Sequence, residues 1–205
     1  MKLYFSPGAC SLSPHIVARE LGLPLALEKV ELGTKKLAGG GDFWSINPKG
    51  YVPALALDSG ELLTEGPAIV QYLADSRPDA GLIAPNGTIE RYRMQEMLGY
   101  INSEIHKAYS PLFRPNTPAE TRQERIEHLQ KRYAPLDEQL ATQPYLFGEN
   151  FSVADAYLFT VTNWAKHVKV DLAAFPHVGA FQQRVAARPA VQAALEAEGL
   201  IAAKA

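Results

Sequence analysis

MKLYFSPGACSLSPHIVARE, residues 1–20, holds in one stretch a short apolar run, a turn and a helix start, with the chain's only cysteine between the last two. Lys2 to Phe5 has the pattern of a strand, and Ser6-Pro7-Gly8-Ala9 that of a turn. From Ser11 or Ser13 the chain carries helix-capping residues, with Pro14 suited to the first turn. Cys10 is therefore expected at a helix N-terminus, where unpaired N–H groups and the positive end of the helix dipole favour a thiolate. A buried, inert thiol is the competing reading, and position alone leaves both open. No second thiol follows in Cys10-Ser11-Leu12-Ser13. A reactive Cys10 would have to exchange with a thiol from outside the chain.

Working outward, the first helix is expected to stop near Gly22, ahead of Pro24, and Leu25 to Leu32 to form a second strand. Gly33 to Gly41 reads as a glycine-rich loop in which Lys35 and Lys36 are a solvated pair unless a ligand uses them. Asn47-Pro48-Lys49-Gly50-Tyr51-Val52-Pro53 is a dense turn signal. It leads into a hairpin of Ala54–Leu57 and Glu61–Leu63. Thr64-Glu65-Gly66-Pro67 then opens a helix through Ala74. The order β-α-β followed by β-β-α is that of a thioredoxin-like α/β domain with a mixed four-stranded sheet, assigned to residues 1–80.

Residues 81–87 are assigned to a linker, and no strand pattern returns after them. Residues 88–205 are assigned to an all-α helical bundle. Thr88 to about Phe113 is expected as one long helix with Leu98, Ile101, Ile105, Ala108 and Leu112 along one stripe. A second begins at Thr117-Pro118 with Ile126, Leu129, Tyr133, Leu136 and Leu140, and Pro135 should kink or break it. Gly99, Ser103 and His106, with Lys107 beside them, form a small and polar stripe on the far side of the first long helix, which suggests a second partner surface. By periodicity alone His106 reads first as an ordinary surface imidazole. Ser152-Val153-Ala154-Asp155 is a capping-box variant, and the helix it opens, Val153 to Val168, is apolar nearly all round. Phe175–Ala187 and Pro189–Ala197 complete the bundle.

The chain has 205 residues, 47% of them apolar and 20% charged, with a net charge of −2, which is ample for a core and unremarkable in charge. Neither nucleic-acid binding nor adhesion to an anionic membrane has its usual basic signature. The N-terminus runs straight into a strand, with no signal-peptide pattern and no apolar run long enough to span a bilayer, so a cytoplasmic location is expected. No metal-ligand cluster and no nucleotide-binding or nucleophile-elbow motif is present.

Five motifs in this order resemble the cytosolic glutathione transferases, and the bacterial beta class in particular: PGACS around Cys10, NPKGYVPAL at 47–55, LLTEGPAIVQYLAD at 62–75, EIHK at 104–107 and FSVADAYLF at 151–159. The resemblance implies a cis-proline at Val52-Pro53 that turns the Val52 backbone toward the cysteinyl part of glutathione. It implies that Glu65 and Gly66 hold the γ-glutamyl end, and that Lys35 reaches the glycyl carboxylate. Cys10 would stand beside the glutathione sulfur, with His106 as a second catalytic residue and Ser103 and Lys107 as further glutathione-binding residues. Glutathione would be a co-substrate rather than a tightly bound cofactor, and the protein a homodimer.

Two departures from the family pattern stand out. Tyr4-Phe5 occupies a place where the family often has tyrosine second, and alternate strand residues face opposite ways, which weighs against a tyrosine mechanism and toward Cys10 with His106. Gly99 replaces a polar residue that helps bind glutathione in relatives. The leading reading is conjugation of the glutathione thiolate to small apolar electrophiles, with Tyr109, Phe113 and Trp164 as pocket walls or, alternatively, as core. The competitors are a thiol-disulfide or reductive enzyme working through a Cys10–glutathione mixed disulfide, and a non-catalytic partner-binding protein on the same scaffold.

Overall fold

In chain order the structure runs β1 (Lys2–Phe5), α1 (Leu12–Glu20), β2 (Ala26–Lys29), β3 (Ala54–Ala56), β4 (Leu62–Thr64) and α2 (Gly66–Asp75). It continues with α3 (Ile89–Tyr100), α4 (Lys107–Tyr109), α5 (Ala119–Leu140), α6 (Val153–Thr162), α7 (Ala165–Val168), α8 (Pro176–Ala186) and α9 (Pro189–Ala197). This computed structural model describes residues 1–202. Its contacts gather into two units, Met1–Ala80 with the segment from Ala187 onward, and Gly81–Ala186.

The first unit is built on a four-stranded sheet in the order β2-β1-β3-β4. β1 and β2 are parallel across the α1 crossover, while β3 runs antiparallel to both β1 and β4. Because side chains alternate along a strand, Leu3 and Tyr4 serve opposite faces. Tyr4 packs with Val30, Phe43, Val52 and Ala54. Helices α1 and α2 pack together and bury Ile16, Val17, Ile69, Val70 and Leu73 completely. Each such side chain contributes on the order of 2 kcal/mol. β2 is shorter than the expected Leu25–Leu32 because β1 offers no ladder past the Phe5–Lys29 pair. Val30 instead bridges to Leu37.

The C-terminal helix departs from the sequence assignment. Residues from Ala187 onward belong to the sheet unit, not to a helical domain spanning 88–205, whose last three positions lie outside the described residues. α9 buries Val191 and Ala194 and packs on α1. Arg188 donates from Nε and Nη2 to the two oxygens of Glu20 at 2.6 and 2.9 Å. Glu198, at the end of α9, accepts the Gly8 N–H at 2.9 Å and contacts His15 Nδ1 at 2.8 Å. His15 and Glu198 are both buried.

The second unit is all helical, and four expectations are corrected in it. Residues 81–87 are not a free linker, since Leu82 and Ile83 are buried, the Leu82 carbonyl accepts from Val153 N–H at 3.0 Å and Arg91 donates to Ala84 O at 3.0 Å. The helix from 88 to 113 is not uniform: a π-helical segment, Ile101–His106, follows α3, and a 3-10 turn, Ser110–Phe113, follows α4. α5 continues through Pro135, with Tyr133 and Leu136 buried on either side of it. α6 is buried at every position, and it stops at Asn163 rather than running to Val168. There Asn163 Nδ2 donates to Phe159 O at 3.1 Å and the Trp164 N–H turns to Val161 O at 3.2 Å. Among the described residues no helix is long and apolar enough to cross a membrane.

Candidate functional site

The register of the sheet decides what can meet. Tyr4 lies opposite Ala54, Ala54 opposite Thr64, and Phe5 beside Lys29. The segments leaving β1, β2 and β4 and the one entering β3 therefore emerge at one end. They carry Cys10, Lys35, Glu65-Gly66 and Val52-Pro53 respectively.

Cys10 is half-buried, and its Sγ–H donates to the Val52 carbonyl at 3.2 Å. The sulfur therefore stands within reach of the backbone that precedes the cis-proline. In the turn that leads into α1, Leu12 N donates to Ala9 O at 2.9 Å and Ser13 N to Cys10 O at 3.3 Å. Ser11 does not cap α1 through its side chain. Its hydroxyl accepts the Ser6 N–H at 3.1 Å and donates to Ser6 O at 3.2 Å, closing the turn before Cys10. The residue is partly exposed and so lies outside the fully buried core.

The Val52-Pro53 peptide bond is cis, and both residues are buried. The loop before it is braced from inside by Asn47, 2% exposed, which donates Nδ2 to Tyr51 O at 2.8 Å and accepts Lys49 N–H at 3.1 Å. Gly50 has φ +67 and a Cβ there would stand 2.5 Å from the Trp44 ring, so only glycine fits. Lys35 is partly buried in the left-handed region, φ 58, and its ammonium lies 5.7 Å from the centre of the exposed Tyr51 ring. Glu65, φ 71, turns the chain into α2 with its side chain exposed, followed by buried Gly66. Its Oε1 accepts from Lys49 Nζ at 3.1 Å, and the same ammonium donates to Thr64 Oγ1 at 3.0 Å. Sequence reasoning took Lys49 only as a turn residue, because nothing local signals a partner sixteen positions on.

Within the second unit, Ser103 and Lys107 are exposed, and Ser103 Oγ donates to Gly99 O at 3.1 Å. His106 is not a plain surface imidazole. Its Nδ1 lies 2.6 Å from the Tyr157 hydroxyl, which itself donates to Asn102 Oδ1 at 2.9 Å. The three side chains form one hydrogen-bonded chain that His106 joins through Nδ1. Trp164 meets the imidazole edge-on at 4.9 Å. The π segment carries Asn102 and His106 to the same hydroxyl while Ile101 and Ile105 stay buried. Such widened turns often mark functional positions. Tyr157 was missed because a tyrosine in an all-buried helix reads as core.

The other aromatic candidates divide. Tyr109 is fully buried with its hydroxyl 3.0 Å from that of Tyr133, which donates to Thr162 at 3.0 Å. Burial pushes both phenols upward in pKa, and they are core. Phe113 is 51% exposed, and Trp164 lies edge-on to both it and Tyr109. Asp155 completes the capping box by accepting the Ser152 N–H at 2.8 Å and the Ser152 Oγ–H at 2.6 Å. Its other oxygen accepts Leu146 N–H at 2.8 Å.

A thioredoxin-like sheet with a thiol and a cis-proline at one end, in a chain that also carries an all-helical unit, defines a class of thiol-binding protein. The family model for the glutathione S-transferase N-terminal domain matches residues 8–76, and that for the C-terminal domain matches residues 100–189. The chain belongs to the glutathione S-transferase family. It is 52% identical to the glutathione S-transferase GstA of Escherichia coli O157:H7 over 98% of this chain and 100% of that one. Among solved structures it is similar to the bacterial beta-class enzyme of Sphingomonas chungbukensis, with TM-score 0.94, 49% identity and coverage of 98% and 100%. A sphingomonad glutathione S-transferase complexed with glutathione gives TM-score 0.94 at 48% identity, with the same coverage of 98% and 100%.

Proposed function

We infer that this protein is a glutathione S-transferase that binds glutathione at the sheet end described above and adds its thiolate to small, apolar electrophiles. The observation that carries this reading is the meeting of the Cys10 thiol with the Val52 carbonyl beside the cis Pro53. A γ-linked tripeptide can pair with Val52 as an added strand, its cysteinyl N–H taking the carbonyl that Cys10 now uses. That exchange releases the Cys10 thiol to face the ligand sulfur. Glu65 and the Gly66 N–H at the start of α2 would take the γ-glutamyl end, and Lys35 the glycyl carboxylate.

In the second unit, His106 is assigned the role of proton acceptor, its ring fixed through Tyr157, with Ser103 and Lys107 as further glutathione-binding residues. Catalysis in this scheme comes from lowering the thiol pKa of the ligand and from proximity. A homodimer and a cytoplasmic location are part of the same proposal. Exposed Tyr51 and Tyr72 in the sheet unit, and separately exposed Ile89 and Tyr92 in the helical unit, are apolar groups that a second copy would cover.

The test is a glutathione titration that follows heat and thiolate absorbance together for the wild type, Cys10→Ala and His106→Ala. Saturable binding with a thiolate signal that shrinks in His106→Ala is the expected result. Conjugation that survives in part in Cys10→Ala supports transfer chemistry, whereas complete loss would move the assignment to a mixed-disulfide enzyme. Absence of binding in the wild type would leave only the scaffold role.

A further inference from the structure

His106 leaves the stripe that its spacing from Gly99 and Ser103 predicts. Those two residues are exposed, whereas His106 is half-buried against Tyr157 and Trp164. The π segment Ile101–His106 accounts for the difference. Its hydrogen bonds close over five residues instead of four, so it takes up about one residue more per turn, and what stands at its end is rotated by about 100° from its place in a continuous α-helix. That rotation turns His106 off the exposed stripe and onto the hydroxyl that also bonds Asn102.

A widened turn is rarely adopted by a helix left to itself, so neighbouring groups must hold it. This one packs against both α5 and α6. From α6, the Tyr157 hydroxyl joins Asn102 and His106. From α5, His128 Nε2 donates to the Glu104 carbonyl at 3.1 Å, in the middle of the segment. The Glu104 carboxylate stands 3.6 Å from the same nitrogen and 2.8 Å from Arg132 Nε. Tyr100, just ahead of the segment, donates its hydroxyl to Arg132 O at 2.8 Å and fixes where the widening begins. We propose that His128 is a positioning residue for His106: by holding the Glu104 carbonyl it keeps the turn widened, and so keeps the imidazole on Tyr157. This deepens the reading of His106 as proton acceptor and rests on it. His128 acts through the backbone and carries no proton of the reaction itself.

The experiment is steady-state kinetics of the whole protein with glutathione and 1-chloro-2,4-dinitrobenzene, a small apolar electrophile. The proteins are wild type, His128→Leu, His128→Gln, His128→Asn, His106→Ala and the double variant His128→Leu/His106→Ala. His128→Leu should lower kcat about 5- to 30-fold, the effect of a misplaced proton acceptor, with KM for glutathione changed less than about twofold. His128→Gln returns an N–H donor of similar reach and should recover most of kcat. His128→Asn is polar but too short to reach the carbonyl, so it should lose as much as His128→Leu and serves in its place if the leucine variant does not fold. In the His106→Ala background, His128→Leu should change kcat less than about twofold, because the ring it positions is gone. Equal losses in the two backgrounds, or full activity of His128→Leu and His128→Asn beside an impaired His106→Ala, overturn the role assigned to His128. A His106→Ala variant as active as wild type overturns the reading of His106 itself, so the two failures are told apart.

Discussion

Asp155 is a carboxylate buried among hydrogen-bond donors. Burial raises its pKa from 3.8 to about 6, against the lowering effect of the bonds from Leu146 and Ser152. The folded protein therefore holds this proton to a higher pH than the unfolded chain does. Its contribution to stability is greatest below pH 3.8 and declines as pH rises through about 6. At about 1.4 kcal/mol per pH unit, that window amounts to roughly 3 kcal/mol. Asp155→Asn removes the titration and sets an amide NH₂ against the Ser152 donors, so the variant should be destabilised at every pH. The gap to wild type in urea unfolding should be larger at pH 4 than at pH 7 by about that amount; a gap independent of pH would disprove the account. The Ser152–Asp155 half of this site was legible because a capping box is written in four consecutive residues. Leu146 was not, since its N–H arrives from a loop outside the helix.

At the scale of elements, the sequence shows that a helix has a buried stripe but not what the stripe meets. α9 illustrates this: its extent was readable from Pro189 and the alanine-rich run, its docking on α1 was not. The contacts that decide it lie far apart in the chain, Arg188 on Glu20 and Glu198 on His15 and Gly8. Glu198→Ala takes the carboxylate from the buried His15 ring and the partly buried Gly8 N–H and should cost about 2–5 kcal/mol, read as a lower denaturation midpoint at unchanged m-value. A loss below about 0.5 kcal/mol, the level of an ordinary surface substitution, would contradict the clasp. Pro135 shows the opposite limit. A local rule called for a break, and the burial of Tyr133 and Leu136 in α5 prevailed.

For the whole molecule, the sheet end that carries Cys10 was legible because the order of strands and helices permits few topologies, whereas Val52-Pro53, Lys35 and Glu65-Gly66 were named only through the family resemblance. Lys49 and Tyr157 were not legible, because each meets a partner distant in sequence. The two units are unlike in one respect that can be tested. Gly81–Ala186 is one continuous run, whereas the sheet unit needs both ends of the chain. A fragment of residues 1–80 should unfold at a lower temperature than the intact protein and with a broader transition. Adding residues 187–205 as a separate peptide should raise its midpoint in a concentration-dependent way. A fragment as stable alone as with the peptide would refute this.

A ribosome making this chain releases the sheet strands early and α9 more than a hundred residues later, after Ala187. At about 5–20 residues per second, the nascent sheet waits on the order of 5–20 s with α1 uncovered. α9 closes a unit whose strands were made long before it, so the turn that presents Cys10 acquires its Glu198 support only once α9 has been translated.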